Sequence, residues 1–244
     1  RMEDRYFQTN IIDFSETKHD KSTYSIFGGS IVLEGSTLNA RQFATQGSRE
    51  KMAAQIFTGT EHFRSGASKV TKDTPEPYKK VQSWLQVSYQ NETYHKVSPK
   101  FTLGAYLEAY YSSRNFSNNY TATLMQAGEF TPTAHSKVTY NEAFRANQYA
   151  GVGAMPIYQL SESFQLRGEF YGFVPIFPIK KDEYGQAYYG KAFTKFEYLG
   201  EISLVFQLSF GSISAYVNHY SSPSNDWNVG LTLGWQLFNS RFIE

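Results

Sequence analysis

Cysteine is absent from the 244 residues, which excludes a disulfide framework and any thiolate metal site. No charge sign predominates either: 23 Lys+Arg against 22 Asp+Glu leave a formal +1. The concentrated basic face of a nucleic-acid binder is therefore not expected. No apolar run approaches the ~18 residues of a transmembrane helix, and mean hydropathy is −0.48. Arg1-Met2-Glu3-Asp4-Arg5 is charged, and no apolar stretch of a secretory signal follows it. If such a chain crosses a membrane, it is expected to be a mature form or a piece of a longer protein.

Aromatic residues are abundant: Tyr 19, Phe 20 and Trp 3 make 17% of a polar chain. Rings pack well on a pleated surface, and they also form the girdles of transmembrane barrels. The dominant periodicity is two. Phe101, Leu103, Ala105, Leu107, Ala109 and Tyr111 alternate with Thr102, Gly104, Tyr106, Glu108 and Tyr110. Trp227, Val229, Leu231, Leu233, Trp235 and Leu237 alternate with Asn228, Gly230, Thr232, Gly234 and Gln236. The same pattern holds over Phe164–Val174, over Glu201–Leu208 and over Ser212–Asn218, and it predicts strands. Further strands are expected at Arg5–Phe14, Tyr24–Glu34, Arg49–Thr58, Trp84–Thr93 and Gln148–Tyr158. No helix longer than a turn or two is expected.

About ten strands result, several reaching the ~9–11 residues that span a bilayer, whereas globular strands more often stop near ~5–6. Connections alternate in length. Tyr94–Ser98, Gln159–Ser163 and Phe210-Gly211 are tight, while Thr60–Lys80, Arg114–Ala146 and Phe177–Ala192 are long. Ser221–Asp226 is a short member of the long set, and Gly35–Ser48 is a long member of the tight set. Outer-membrane barrels segregate short turns and long loops in this way. Charged residues such as Glu108, Arg167, Glu169 and Glu201 sit opposite an uncharged row. A membrane barrel keeps its polar row inside and a soluble barrel keeps it outside, so alternation alone leaves the choice open.

Short stretches carry a family resemblance. They are Ser36-Thr37-Leu38-Asn39-Ala40-Arg41-Gln42-Phe43-Ala44 with Gln46-Gly47-Ser48, then Asn118-Asn119-Tyr120-Thr121-Ala122-Thr123-Leu124. Phe130-Thr131-Pro132-Thr133 with Ser136-Lys137 and Phe144-Arg145-Ala146-Asn147 follow. Gly190-Lys191-Ala192-Phe193-Thr194-Lys195 and Gly234-Trp235-Gln236-Leu237-Phe238-Asn239 complete the series. Together they resemble the C-terminal barrel of patatin-like phospholipases of Gram-negative outer membranes, from about Tyr24 to the end. That barrel is similar to those of the outer-membrane assembly and two-partner secretion proteins.

The resemblance implies an all-β, antiparallel transmembrane barrel of about sixteen strands, of which this chain supplies the C-terminal part, about ten. It implies a bacterial outer-membrane location and a role as anchor, and as conduit, for a periplasmic patatin-like lipid hydrolase domain. The partners implied are membrane lipid, and either upstream strands or another copy of the chain to close the sheet edges. Two other readings stand beside it: a protein-insertion or secretion pore of the same superfamily, and a soluble β-barrel ligand carrier. The resemblance further implies that the Arg114–Ala146 loop folds into the lumen. There Arg145 would meet an acidic residue on the second strand after the loop, namely Glu169, which alternation places on the non-lipid face. The alternative is that Arg145 is solvated at the barrel mouth while Glu169 pairs with Arg167 or another wall residue.

No Gly-x-Ser-x-Gly elbow is present, and Gly28-Gly29-Ser30-Ile31-Val32 lacks the closing glycine. Ester hydrolysis is therefore not expected of this chain. His19, His62, His95, His135 and His219 show no metal-ligand spacing, and no cofactor is expected. Trp227 and Trp235 are core rings in a soluble protein or interface anchors in a barrel, and Trp227, at a strand start, favours an anchor.

Overall fold

The computed structural model describes residues 1–7, 19–66, 78–222 and 227–235. Ten strands form one antiparallel meander in chain order. They are β1 (Met2–Tyr6), β2 (Asp20–Ser36), β3 (Gly47–Arg64), β4 (Tyr78–Lys96) and β5 (Phe101–Ser112). The second half comprises β6 (Gln148–Gln159), β7 (Phe164–Pro175), β8 (Glu197–Leu208), β9 (Gly211–Tyr220) and β10 (Trp227–Trp235). Nine of the ten expected segments each correspond to one strand. β2, β3 and β4 run 17, 18 and 19 residues, longer than their apolar alternation, because their loop-end portions carry polar residues on both faces. The first strand, Met2–Tyr6, shares Arg5 and Tyr6 with the expected Arg5–Phe14 segment, of which residues 8–14 lie outside the described residues. The 113–147 connection carries the one α-helix of the described residues, α1 (Tyr120–Gln126), capped by the Asn119 side chain on the Ala122 amide.

Register assigns every side chain to a face. Phe57 stands opposite Trp84, Glu92 opposite Tyr106, Tyr106 opposite Gly153, and Tyr171 opposite both Gly153 and Leu199. These rows point to the side on which the connections pack; Trp84, Tyr106, Tyr171 and Leu199 are buried, and Phe57 and Glu92 are half-buried. The other row is apolar and exposed: Ile31 is 71%, Ile56 67%, Val81 68% and Leu231 80% accessible. From β5 to β10 this outward row contains no Asp, Glu, Lys or Arg. The polar row therefore lies on the side that the connections cover, and the apolar row on the opposite side.

Two connections fill the inward side. The 113–147 loop lies against β1–β4 at one flank and β8–β9 at the other, its Phe130 and Phe144 packing on Tyr149, Tyr171 and Phe173. Gly151 permits this, since a Cβ there would sit 2.2 Å from the Phe130 ring. The 37–46 connection enters from the opposite, tight-turn end and reaches β7, β8 and β9. A sheet whose β2–β3 corner touches β7–β9 across an intervening layer is strongly curved. Among the described residues it is open, with β1 and β10 as its two edges.

Candidate functional site

The inward face forms a polar lumen, and its chemistry is concentrated where the two connections meet the wall. The first cluster centres on Arg167, whose side chain is 2% accessible. Its Nε donates to Glu169 Oε1 at 3.1 Å, one terminal nitrogen donates to the Ala44 carbonyl at 2.9 Å and to Gln165 at 3.2 Å, and the other to the Tyr94 hydroxyl at 3.3 Å. The guanidinium also lies over the rings of Phe43 and Tyr94. Tyr171 donates to the second oxygen of Glu169. Alternation on β7 projects Gln165, Arg167, Glu169 and Tyr171 inward as one row, and the 37–46 connection brings its carbonyls to them.

That connection is prepared locally for the role. Asn39 accepts from the Thr45 and Gln46 amides through Oδ1 and donates to Thr45 Oγ1, which closes the loop on itself. Phe43 sits at φ 54°, a left-handed conformation that side chains other than glycine adopt at a cost. The bend turns backbone carbonyls outward: Phe43 O accepts from Gln165 and Gln207, both at 3.3 Å, and Ala44 O accepts from Arg167. The long member among the tight turns is thus a lumenal insert.

The second cluster ties the 113–147 loop to the wall. His135 Nδ1 donates to Glu201 Oε1 across 2.6 Å, both side chains being at most 4% accessible. The imidazole stacks on Tyr216 with ring centroids 3.5 Å apart, and Asn218 Nδ2 donates to Glu201 at 3.4 Å. On the other flank Asn119 donates to Tyr6, the Asn118 amide to Glu61, and Lys80 to the Phe116 carbonyl. Arg114 lies over Trp84 at 4.5 Å and Tyr24 at 5.2 Å. Burial lowers the Arg114 pKa, and Tyr24 and Glu61 oppose that shift. In the middle, Glu108 accepts from Tyr149 at 2.6 Å and from Tyr106 at 2.5 Å.

The expected Arg145–Glu169 pair is not formed. Arg145 pairs with Glu129 at 2.7 Å, donates to the Leu124 and Met125 carbonyls at 3.3 Å, and lies over the Tyr140 ring. Glu129 and Arg145 are brought opposite one another by a two-residue ribbon at the loop base. The guanidinium therefore satisfies the open carbonyls at the C-terminal end of α1, inside the loop, and Glu169 is taken by Arg167. A buried hydrogen-bonded contact between loop and wall does exist, formed by His135 and Glu201. In the sequence His135 carries no ligand spacing that would single it out. Its one signal was a position in the middle of a loop expected to enter the lumen.

Trp227 lies on the outward row at the loop end of β10, 71% accessible, with its ring 4.8 Å from His219. The backbone of Trp235 ends the same strand opposite Gly211. Asp182 closes a turn by accepting from the Tyr184 and Gln186 amides. Among the described residues no group of three His, Asp or Glu is placed to hold a metal ion. Comparison of the chain with protein-family models, with curated proteins and with solved structures finds no match.

Proposed function

We propose that this chain is the wall of a bilayer-spanning outer-membrane β-barrel, and that it anchors a periplasmic patatin-like lipid hydrolase domain. The observation that carries the membrane reading is the pairing of an exposed outward row, uncharged from β5 to β10, with buried Arg167, Glu61 and Glu201 on the inward row. A soluble carrier needs the reverse, because a contiguous apolar surface of this extent would self-associate in water. In hydrocarbon the arrangement is favourable, and a polar interior filled by loops is a known variant of such barrels. The two inserts favour an anchor over a permanently open pore. The hydrolase domain is supported by the sequence resemblance alone, and closure of the edges falls to upstream strands or to another copy of the chain.

The test of the membrane reading is solvent and heat. The purified protein is expected to need detergent, and its unboiled form is expected to migrate differently from the boiled form on a denaturing gel. A monodisperse, folded species in detergent-free buffer overturns the reading.

A further inference from the structure

The outward face is cut between β6 and β10 by an open groove of about 690 Å³, a volume in the usual range for small-ligand sites. Its floor is made by Gly172 and Gly200, and its walls by Phe170, Phe196, Ile202 and Val217. Register explains the shape. Gly172 stands opposite Tyr198, and Gly200 stands between Phe170 and His219, so rings alternate with bare backbone along and across the strands. A Cβ added to Gly172 would meet the Phe196 ring at 3.1 Å, and one added to Gly200 would meet Phe170 at 3.6 Å. Polar tips occur at one end only, where Tyr198 stacks on His219 and His219 meets Trp227.

We propose that this groove binds one acyl chain of a membrane lipid, in the leaflet on the long-connection side, with the headgroup against Tyr198, His219 and Trp227. The inference rests on the membrane reading above and adds a defined lipid site to it. Dimensions select the occupant. The lining runs from Phe196 to Ile202, about six residue steps or ~20 Å along the strand. At the ~40° tilt of barrel strands this is ~15 Å of depth, which matches one leaflet of a ~30 Å hydrocarbon core. Aromatic rings with polar tips belong at the headgroup level of such a leaflet, and here they occur at the loop end of the groove.

The experiment uses the protein in vesicles of phosphatidylethanolamine and phosphatidylglycerol doped with a phospholipid carrying a diazirine in one acyl chain. After illumination, adducts are mapped by peptide mass spectrometry. Labelling of Phe170, Ile202 and Val217 is expected to exceed that of Leu103, Leu107 and Leu231 by about fivefold, equivalent to roughly 1 kcal/mol of preference, and to saturate with probe. Gly200→Leu, which fills the floor, should remove the excess while leaving Leu231 labelling and heat-dependent mobility intact. If that variant does not fold, Gly200→Ala and the saturation curve of the unaltered protein decide. Even, non-saturating labelling across all six positions overturns the lipid site and leaves the membrane reading standing. Labelling no stronger than at lumenal Phe173 and Val205 overturns both.

Discussion

Arg167 satisfies four neighbours at once, and removing it strands Glu169 in a site where, among the described residues, Tyr171 is the remaining donor to the carboxylate. Breaking a buried pair at one partner costs about 3–5 kcal/mol. Arg167→Met is expected to lose stability in that range on urea unfolding in lipid vesicles, and the double variant Arg167→Met with Glu169→Gln should recover much of it. If the double variant is no better than the single one, Glu169 is not the group being held. Arg145 belongs to a separate unit. A double-mutant cycle of Arg145→Ala with Glu129→Ala should show coupling, whereas Arg145→Ala with Glu169→Ala should be additive within about 0.5 kcal/mol. At this scale the sequence was half legible. The inward direction of Arg167 and Glu169 follows from alternation, and their spacing two apart on one face makes them neighbours. The partner of Arg145 did not follow, because it depends on a ribbon that folds the loop back on its own helix.

Elements were far more legible than contacts, and for a physical reason. A strand that separates lipid-like from polar surroundings must alternate at every residue, so β5 to β10 are written in the sequence almost to their ends. β2, β3 and β4 were read too short because polar residues occupy both faces near the loop end, where the 113–147 loop covers the inward side. The role of the 37–46 connection was hidden for the opposite reason, since its anchors are backbone carbonyls, which no side-chain pattern reports. Alternation also makes a sharp prediction on β10. Leu231 is 80% exposed on the outward row, and Thr232 stands next to it on the inward row opposite Ser214. An Arg on a lipid face costs roughly 2–4 kcal/mol at the bilayer midplane. Leu231→Arg should therefore impair assembly into lipid vesicles far more than Thr232→Arg, measured as the fraction showing heat-dependent mobility. Equal yields would place both faces in water.

The described residues form a curved sheet with two edges, and those edges set its largest remaining demand. Along Asp20–Tyr24 β2 is paired with β1, but from Ser25 to Ser36 it is paired only with β3 among the described residues. Phe27, Ile31 and Leu33 on that stretch are 80%, 71% and 65% accessible. In hydrocarbon every unpaired backbone N–H and C=O costs several kcal/mol, so a lipid-exposed open edge does not persist. β1 descends β2 residue for residue, Met2 opposite Tyr24 and Tyr6 opposite Asp20. A strand completing this edge in the same register therefore lies antiparallel along Ser25–Ser36, with its own apolar row beside Phe27, Ile31 and Leu33. The same requirement holds at β10, whose outward Val229, Leu231 and Leu233 are about 80% accessible. The expected outcome in a lipid nanodisc is a cryo-EM map with additional strands hydrogen-bonded to both edges, whether from the same protein or from a second copy. Backbone amides of residues 25–36 that face away from β3 should then resist hydrogen exchange. An isolated barrel of ten strands with β1 zipped directly to β10 would contradict the assignment to part of a larger barrel, while leaving the inside-out polarity of the sheet as it stands.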